Sequence, residues 1–200
     1  MAKQSLTRRQ VLRTVTAGIS AAASVPELIS IESADHFHSV LRDEKTQDPK
    51  ARYAPKFFDS DQYATVTALC ETIIPADDRS GGAVAAGAPE FVDLLTSENE
   101  DYQRRLGGGL MWLEATCIKR YNEVFVRCSP TDQKEILDLI AYRAHGENDT
   151  SLLPGINFFA LLRDLTVDAF FTSKIGITYL GYVGNTFLSE FPGCPSIPGE

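Results

Sequence analysis

Apolar residues along this chain recur at helical spacing, while the strict alternation of a half-buried strand is almost absent. In FFDSDQYATVTALCETIIP, Tyr63, Val66, Cys70 and Ile73 share one face of a helix. Asp59 or Ser60 is placed to cap its start and Pro75 to close it. PEFVDLLTS opens a second helix with Pro89 at the first helical position and Glu90 in the first turn, where the helix dipole favours a negative charge. Tyr102, Leu106, Leu110, Leu113, Cys117 and Tyr121 then continue at helical spacing across a triple glycine, Gly107 to Gly109. Each interior glycine costs about 1 kcal/mol relative to alanine, so the run predicts either a close helix–helix contact or a break there. SPTDQKEILDLIAYRAHG is the most regular helix, with Ser129 as N-cap, Pro130 at the first position, Asp132 in the first turn and Gly146 as the stop. PGINFFALLRDLTVDAFFTSKIG places Phe158, Leu161, Leu162, Leu165, Ala169 and Phe170 on one broad apolar face, the pattern of a central helix.

Outside these helices the pattern weakens. Residues 26–56 mix charge and proline without a sustained period and read as an extended arm or linker. PADDRSGGAVAAGA, from Pro75 to Ala88, reads as a loop. Beyond Ile175, glycines 176, 181 and 184 punctuate Tyr179, Tyr182, Phe187 and Phe191, giving either a short packed helix with a tail or a surface made for a partner. At the other end, Lys3, Arg8, Arg9 and Arg13 precede a short, Ser- and Thr-interrupted apolar stretch and the small residues Ala21 to Ala23. That stretch falls short of the roughly 20 apolar residues a membrane-spanning helix needs. Its layout is that of a cleavable leader, and the adjacent Arg8 and Arg9 in TRRQVLR mark a twin-arginine export signal, the route for cargo already folded. The organisation expected is a signal over residues 1–25, with the mature chain starting near Ser24, an arm over 26–56, and one irregular all-α domain over 57–200.

Composition narrows the function classes. Of the 200 residues, 44% are hydrophobic and 23% charged, which is globular composition. A formal net charge of −8 argues against nucleic acid as a partner, since phosphate neutralisation needs a basic face. Cys70, Cys117, Cys128 and Cys194 match no zinc spacing. Cys70 and Cys117 fall on apolar helix faces as small buried hydrophobes. Cys194, in the Pro- and Gly-rich FPGCPSIPGE, is a candidate for an intermolecular disulfide or an exposed thiol. His36 and His38 form an H-x-H pair without a third ligand in view, and His145 suits a helix C-terminal cap. Glu71, Asp77 and Asp78 offer a hard cation some oxygens but no EF-hand spacing. The triple glycine lacks the preceding strand and the GK[ST] ending of a phosphate loop, no G-x-S-x-G elbow is present, and no dinucleotide fingerprint is available to hold a flavin or nicotinamide. No catalytic, cofactor-binding or metal-binding residue is therefore assigned to this chain.

ALCETIIPADD, GAPEFVDLL, NFFALLRDLTVDAFFTSKIGITYLGYVGN and FPGCP, spread over Phe57 to Pro195, together resemble the gluconate 2-dehydrogenase subunit 3 family. The resemblance implies a helical, non-catalytic small subunit of a periplasmic sugar or sugar-acid dehydrogenase, carrying a twin-arginine leader. It further implies a large FAD-containing partner of the glucose-methanol-choline type, in some complexes a c-type cytochrome subunit, and membrane association only through those partners. FAD would belong to the partner, and this chain would stabilise that subunit and escort it through export. On that reading Phe170, Phe171, Tyr179, Tyr182 and Phe191 are candidate interface anchors, the Pro75 to Ala88 loop a rim, and Cys194 a covalent tether. Two alternatives stand beside it: a free-standing periplasmic helical binding protein, and a metal-dependent enzyme built on the Asp77/Asp78 loop.

Overall fold

The computed structural model describes residues 36–43 and 53–184. Arg8 and Arg9 of the expected leader, as well as Phe191 and Cys194, lie outside the described residues. Among the described residues the only regular elements are helices, which makes the fold all-α: α1 (residues 36–43), α2 (Ser60–Ile73), α3 (Gly82–Ala86), α4 (Ala88–Glu98), α5 (Glu100–Tyr121), α6 (Pro130–Ile140), α7 (Arg143–Asn148), α8 (Leu153–Thr172) and α9 (Lys174–Tyr179), with single 3-10 turns at Phe125–Arg127 and Thr150–Leu152.

Local chemistry sets most of the boundaries. Asp59 caps α2 by accepting from the amides of Asp61 and Gln62, and the Gln62 side chain returns a bond to the Asp59 amide, completing a capping box. Asn99 caps α5 in the same sense, and Ser129 caps α6 by accepting from the Asp132 amide. Gly87, at φ 83°, ends α3 and begins α4 in a left-handed conformation that suits glycine.

The α5–α8 pair is the most extensively packed in the molecule. It works by reciprocal insertion. A Cβ at Gly109 of α5 would fall 2.2 Å from Phe158 Cβ, and one at Gly155 of α8 would fall 2.2 Å from the Trp112 ring. Each helix thus offers a glycine to the other's aromatic three residues along, which fixes an antiparallel register. Trp112 also donates from its indole N–H to the Ser151 carbonyl at 3.2 Å. The triple glycine is therefore a close contact inside an unbroken helix, and only Gly109 of the three requires it: Gly108 has open space around its Cβ position. From this contact α8 becomes central, packing against α2 to α7 and α9. Phe158, Leu161, Leu162, Leu165, Ala169 and Phe170 are all buried, as their spacing predicts.

Several expectations are corrected. Residues 36–43, within the segment that reads as an extended arm, are helical, because Phe37 and Leu41 stand one turn apart and are both buried. Phe37 meets the Phe91 ring edge-on at 5.8 Å, and His38 stacks near the same ring and bonds Thr172 Oγ1 at 2.8 Å, which places it in packing. The domain also begins before Phe57. The carboxylate of Asp93, wholly buried in α4, accepts from the Tyr53 hydroxyl at 2.8 Å and from the amides of Lys56, Phe57 and Phe58 at 2.6, 3.1 and 2.9 Å. Four donors on one carboxylate pin this lead-in to the core. The loop expected from Pro75 to Ala88 contains the short helix α3. Helix α6 stops at Ile140 and not at Gly146, since Tyr142 is extended and the terminal Leu139 carbonyl lies 3.0 Å from His145 Nδ1. Gly146 instead lets Leu153 close on α7, where a Cβ would meet its Cδ2 at 2.6 Å.

Cys70 and Cys117 are buried as small apolar residues. Burial pushes both thiols from 9.0 up to about 12; at Cys70 the Thr166 hydrogen bond opposes this and the carboxylates of Glu90 and Glu71 add to it. Between those values the unfolded chain releases thiol protons that the folded chain retains, so stability falls as pH rises above 9. Thermal melts from pH 8 to 11 are expected to show a declining Tm, with a shallower decline in Cys70→Ala. Gly109→Ala is expected to cost about 1–3 kcal/mol in urea titrations by overpacking against Phe158, whereas Gly108→Ala gains up to ~1 kcal/mol. Asp93→Ala strands four donors, at least one of them in a buried backbone, and is expected to cost about 3–5 kcal/mol, with new protease cleavage between Tyr53 and Phe58.

Candidate partner-docking surface

The end of α8 is where the core reaches the surface. Phe170 is 2% exposed and belongs to the core, which corrects its expected place among the interface anchors. Helical geometry explains why: Phe170 continues the inward face of Phe158, Leu162, Leu165 and Ala169, and its neighbour Phe171 must then point away. Phe171 is 37% exposed, Tyr179 42% and Tyr182 57%. Phe170 is nonetheless the support of this surface. Its ring meets Phe171 edge-on at 5.1 Å and 90°, and Tyr179 at 6.3 Å and 67°.

A tight junction holds these rings in place. Ser173, itself buried, donates from its hydroxyl to the Phe170 carbonyl at 2.7 Å, while the hydroxyl oxygen accepts from the Gly176 amide at 3.1 Å. One side chain thus finishes α8 and caps α9. Gly176 is required here, since a Cβ would lie 2.0 Å from the Phe170 carbonyl oxygen. The result folds α9 back over the α8 terminus and lines up Phe171, Ile177, Tyr179, Leu180, Tyr182 and Val183 as exposed apolar side chains within one short stretch.

The Pro75 to Gly81 loop borders this stretch. Asp77 Oδ1 accepts from the amides of Arg79 and Ser80 at 2.8 and 2.7 Å, and its own amide donates to the Ser80 carbonyl at 3.0 Å. The turn so formed carries the Arg79 guanidinium over the Tyr179 ring, 5.6 Å from its centroid. Arg79, Ser80, Lys174, Thr178 and Tyr179 line a shallow cavity of about 460 Å³ between loop and helix. A larger cleft of about 780 Å³ lies between α2, α3 and α4, with Tyr53, Tyr63, Glu71 and Glu90 on its walls.

The expected acidic loop has other work. Asp77 is consumed by its own turn, and Glu71 Oε1 accepts from the Ala76 amide at 3.0 Å. Among the described residues no three His, Cys, Asp or Glu side chains converge to hold a metal ion. The described residues form no strand and therefore contain no strand–turn–helix dinucleotide cradle. No described helix is long and apolar enough to cross a membrane. Sequence reasoning missed two residues that build the surface, Ser173 and Arg79. The Ser between two helical patterns was a readable N-cap signal; the reach of Arg79 to Tyr179 is a tertiary contact without a local signature.

The described residues thus form an all-α body that exposes an aromatic stretch, a shelf bordered by Arg79 and Lys174. The chain matches the family model described as gluconate 2-dehydrogenase subunit 3 over residues 60–193, and it belongs to that family. It is accordingly a small subunit of a dehydrogenase complex. The matched range takes in α2 to α9 and therefore the whole shelf. No curated protein and no solved structure matches the chain.

Proposed function

We propose that this chain is the non-catalytic small subunit of a periplasmic FAD-dependent sugar or sugar-acid dehydrogenase, and that it binds, stabilises and escorts the flavoprotein subunit through twin-arginine export. The observation that carries this reading is the exposed run Phe171, Ile177, Tyr179, Leu180, Tyr182 and Val183, assembled on the rigid α8–α9 junction. Aromatic side chains that are half in water, backed by a fully packed ring and bordered by Arg79, have the composition of an interface core with a polar rim. A lone chain exposing such a patch gains by covering it. Arg8 and Arg9 supply the reason for tight association: cargo that crosses the membrane folded must stay bound to the subunit that carries the signal. Oxidation of the sugar hydroxyl, with hydride passing to FAD, belongs to the partner, and a c-type cytochrome subunit would take the electrons onward.

Co-expression with the flavoprotein, with the tag on this subunit alone, tests the reading. Flavin is expected to co-purify from the periplasm, and the double variant Arg8→Lys, Arg9→Lys is expected to leave it in the cytoplasm. A flavin-free monomer that ignores the flavoprotein contradicts the proposal. Tyr179→Ala and Tyr182→Ala are each expected to reduce retained flavin about tenfold or more, with the Tm of the isolated chain nearly unchanged. Phe170→Ala instead costs about 3–5 kcal/mol of folding stability, which separates the support from the surface in a urea titration.

A further inference from the structure

The two surface cavities carry opposite chemistry. The larger, between α2, α3 and α4, has the carboxylates of Glu71 and Glu90 on its walls. The smaller, of about 460 Å³ between the Pro75 to Gly81 loop and α9, is lined by Arg79, Ser80, Lys174, Thr178 and Tyr179, and no described carboxylate lines it. Its two sides are held close together. A Cβ at Gly81 would lie 3.8 Å from Ile175 Cδ1, and the Arg79 guanidinium rests 5.6 Å from the Tyr179 ring centroid. Asp77 turns its carboxylate onto the amides of Arg79 and Ser80, which fixes the loop without pairing the guanidinium. Among the described residues neither Arg79 nor Lys174 is in an ion pair, and the hydroxyls of Ser80 and Tyr179 make no hydrogen bond. Thr178 already donates its hydroxyl proton to the Lys174 carbonyl at 2.7 Å. A chain of formal net charge −8 thus gathers two unpaired cations and two unused hydroxyl donors around one hollow at the edge of the aromatic shelf. A set of donors with this charge selects an anionic acceptor.

We propose that this cavity receives a carboxylate side chain, Asp or Glu, of the flavin-containing subunit, an inference that rests on the reading that this subunit covers the shelf. The planar Arg79 guanidinium offers a fork of donors that matches both oxygens of a carboxylate, and Lys174 adds a point charge from the α9 side. The Ser80 and Tyr179 hydroxyls are the donors for the remaining lone pairs. A small anion in free solution meets a hollow open to water, where exposed ion pairs contribute little. A protein surface laid on Phe171, Tyr179 and Tyr182 closes that hollow, and the same pair strengthens as water is excluded. The chain is acidic in balance, so an acidic residue of the partner is favoured at these two cations and repelled elsewhere. The pair therefore fixes the register in which the partner lies on the shelf.

The complex, co-expressed with the flavoprotein and purified through a tag on this chain, is treated with a water-soluble carbodiimide, which joins an amine to a carboxylate only where the two touch. Digestion and mass spectrometry are expected to find an amide between Lys174 Nζ and an Asp or Glu of the flavoprotein. Lys174→Arg keeps the charge but cannot be joined, so it should lose the cross-link and retain flavin. The double variant Arg79→Gln, Lys174→Gln should weaken association about tenfold at low salt and remove most of its salt dependence, with the Tm of the isolated chain nearly unchanged. The proposal is overturned if the unaltered complex retains flavin but Lys174 joins no flavoprotein residue. It is equally overturned if Lys174 joins a carboxylate of a second copy of this chain, if inorganic phosphate binds the isolated chain and no flavoprotein cross-link forms, or if the double variant holds flavin as tightly as the unaltered chain at every salt concentration. Absence of flavin even from the unaltered preparation is a different result: it removes the docking reading, and this proposal with it.

Discussion

The reciprocal lock between α5 and α8 is the constraint on which the remaining architecture rests. Gly109 receives the buried Phe158 and Gly155 receives the half-buried Trp112, so two absent side chains let the helix axes come close. Interiors pack to near-crystalline density, and a contact of this kind tolerates no added methyl without movement of both helices. Because α8 is held at this register, its broad apolar face meets α2, α3, α4, α6 and α7 around the rest of its circumference. The same register decides that Phe170 points inward and Phe171 outward at its far end.

The outer surface follows from that placement. Phe170 is the last ring of the core and the floor under Phe171 and Tyr179. Ser173 and Gly176 then turn the chain within a few residues, so α9 is laid over the α8 terminus with little freedom. Rigid presentation lowers the entropic cost of association, because side chains that are already ordered lose less on binding. A subunit of a dehydrogenase complex gains from such a shelf in a way that a solitary helical protein does not. Asp93 makes a comparable contribution on the opposite side of the sequence, collecting four donors to hold residues 53–58 against α4.

Much of this was legible in the sequence where the signals are local. The caps at Asp59 and Ser129, the inward positions of α8 and the buried character of Cys70 and Cys117 follow from side chains acting within a turn or two of themselves. The triple glycine left two outcomes open, since propensity disfavours a helix there and only the partner helix shows that Phe158 fills the gap. The errors have the same origin. Helix 36–43 was hidden because its apolar face consists of two residues, Phe37 and Leu41, among charges. Aromatic composition does not reveal orientation, so it does not separate the inward Phe170 from the half-exposed Phe171. The helix stops at Ile140 and not at the glycine because Tyr142 is extended and the His145 side chain meets the Leu139 carbonyl. Asp93 could not be singled out, since its four donors come from a segment without periodicity.

The central claim is that the shelf formed by Phe171, Tyr179 and Tyr182 is covered by the flavin-containing subunit. Amide hydrogen exchange, measured on this chain alone and in the assembled complex, addresses it directly. The account expects new protection concentrated between Phe171 and Gly184 and in the adjoining loop around Arg79, with the α5–α8 lock equally slow in both states. Protection confined to the exposed face of α5 around Met111 and Ile118, with the α9 region unchanged, would contradict it.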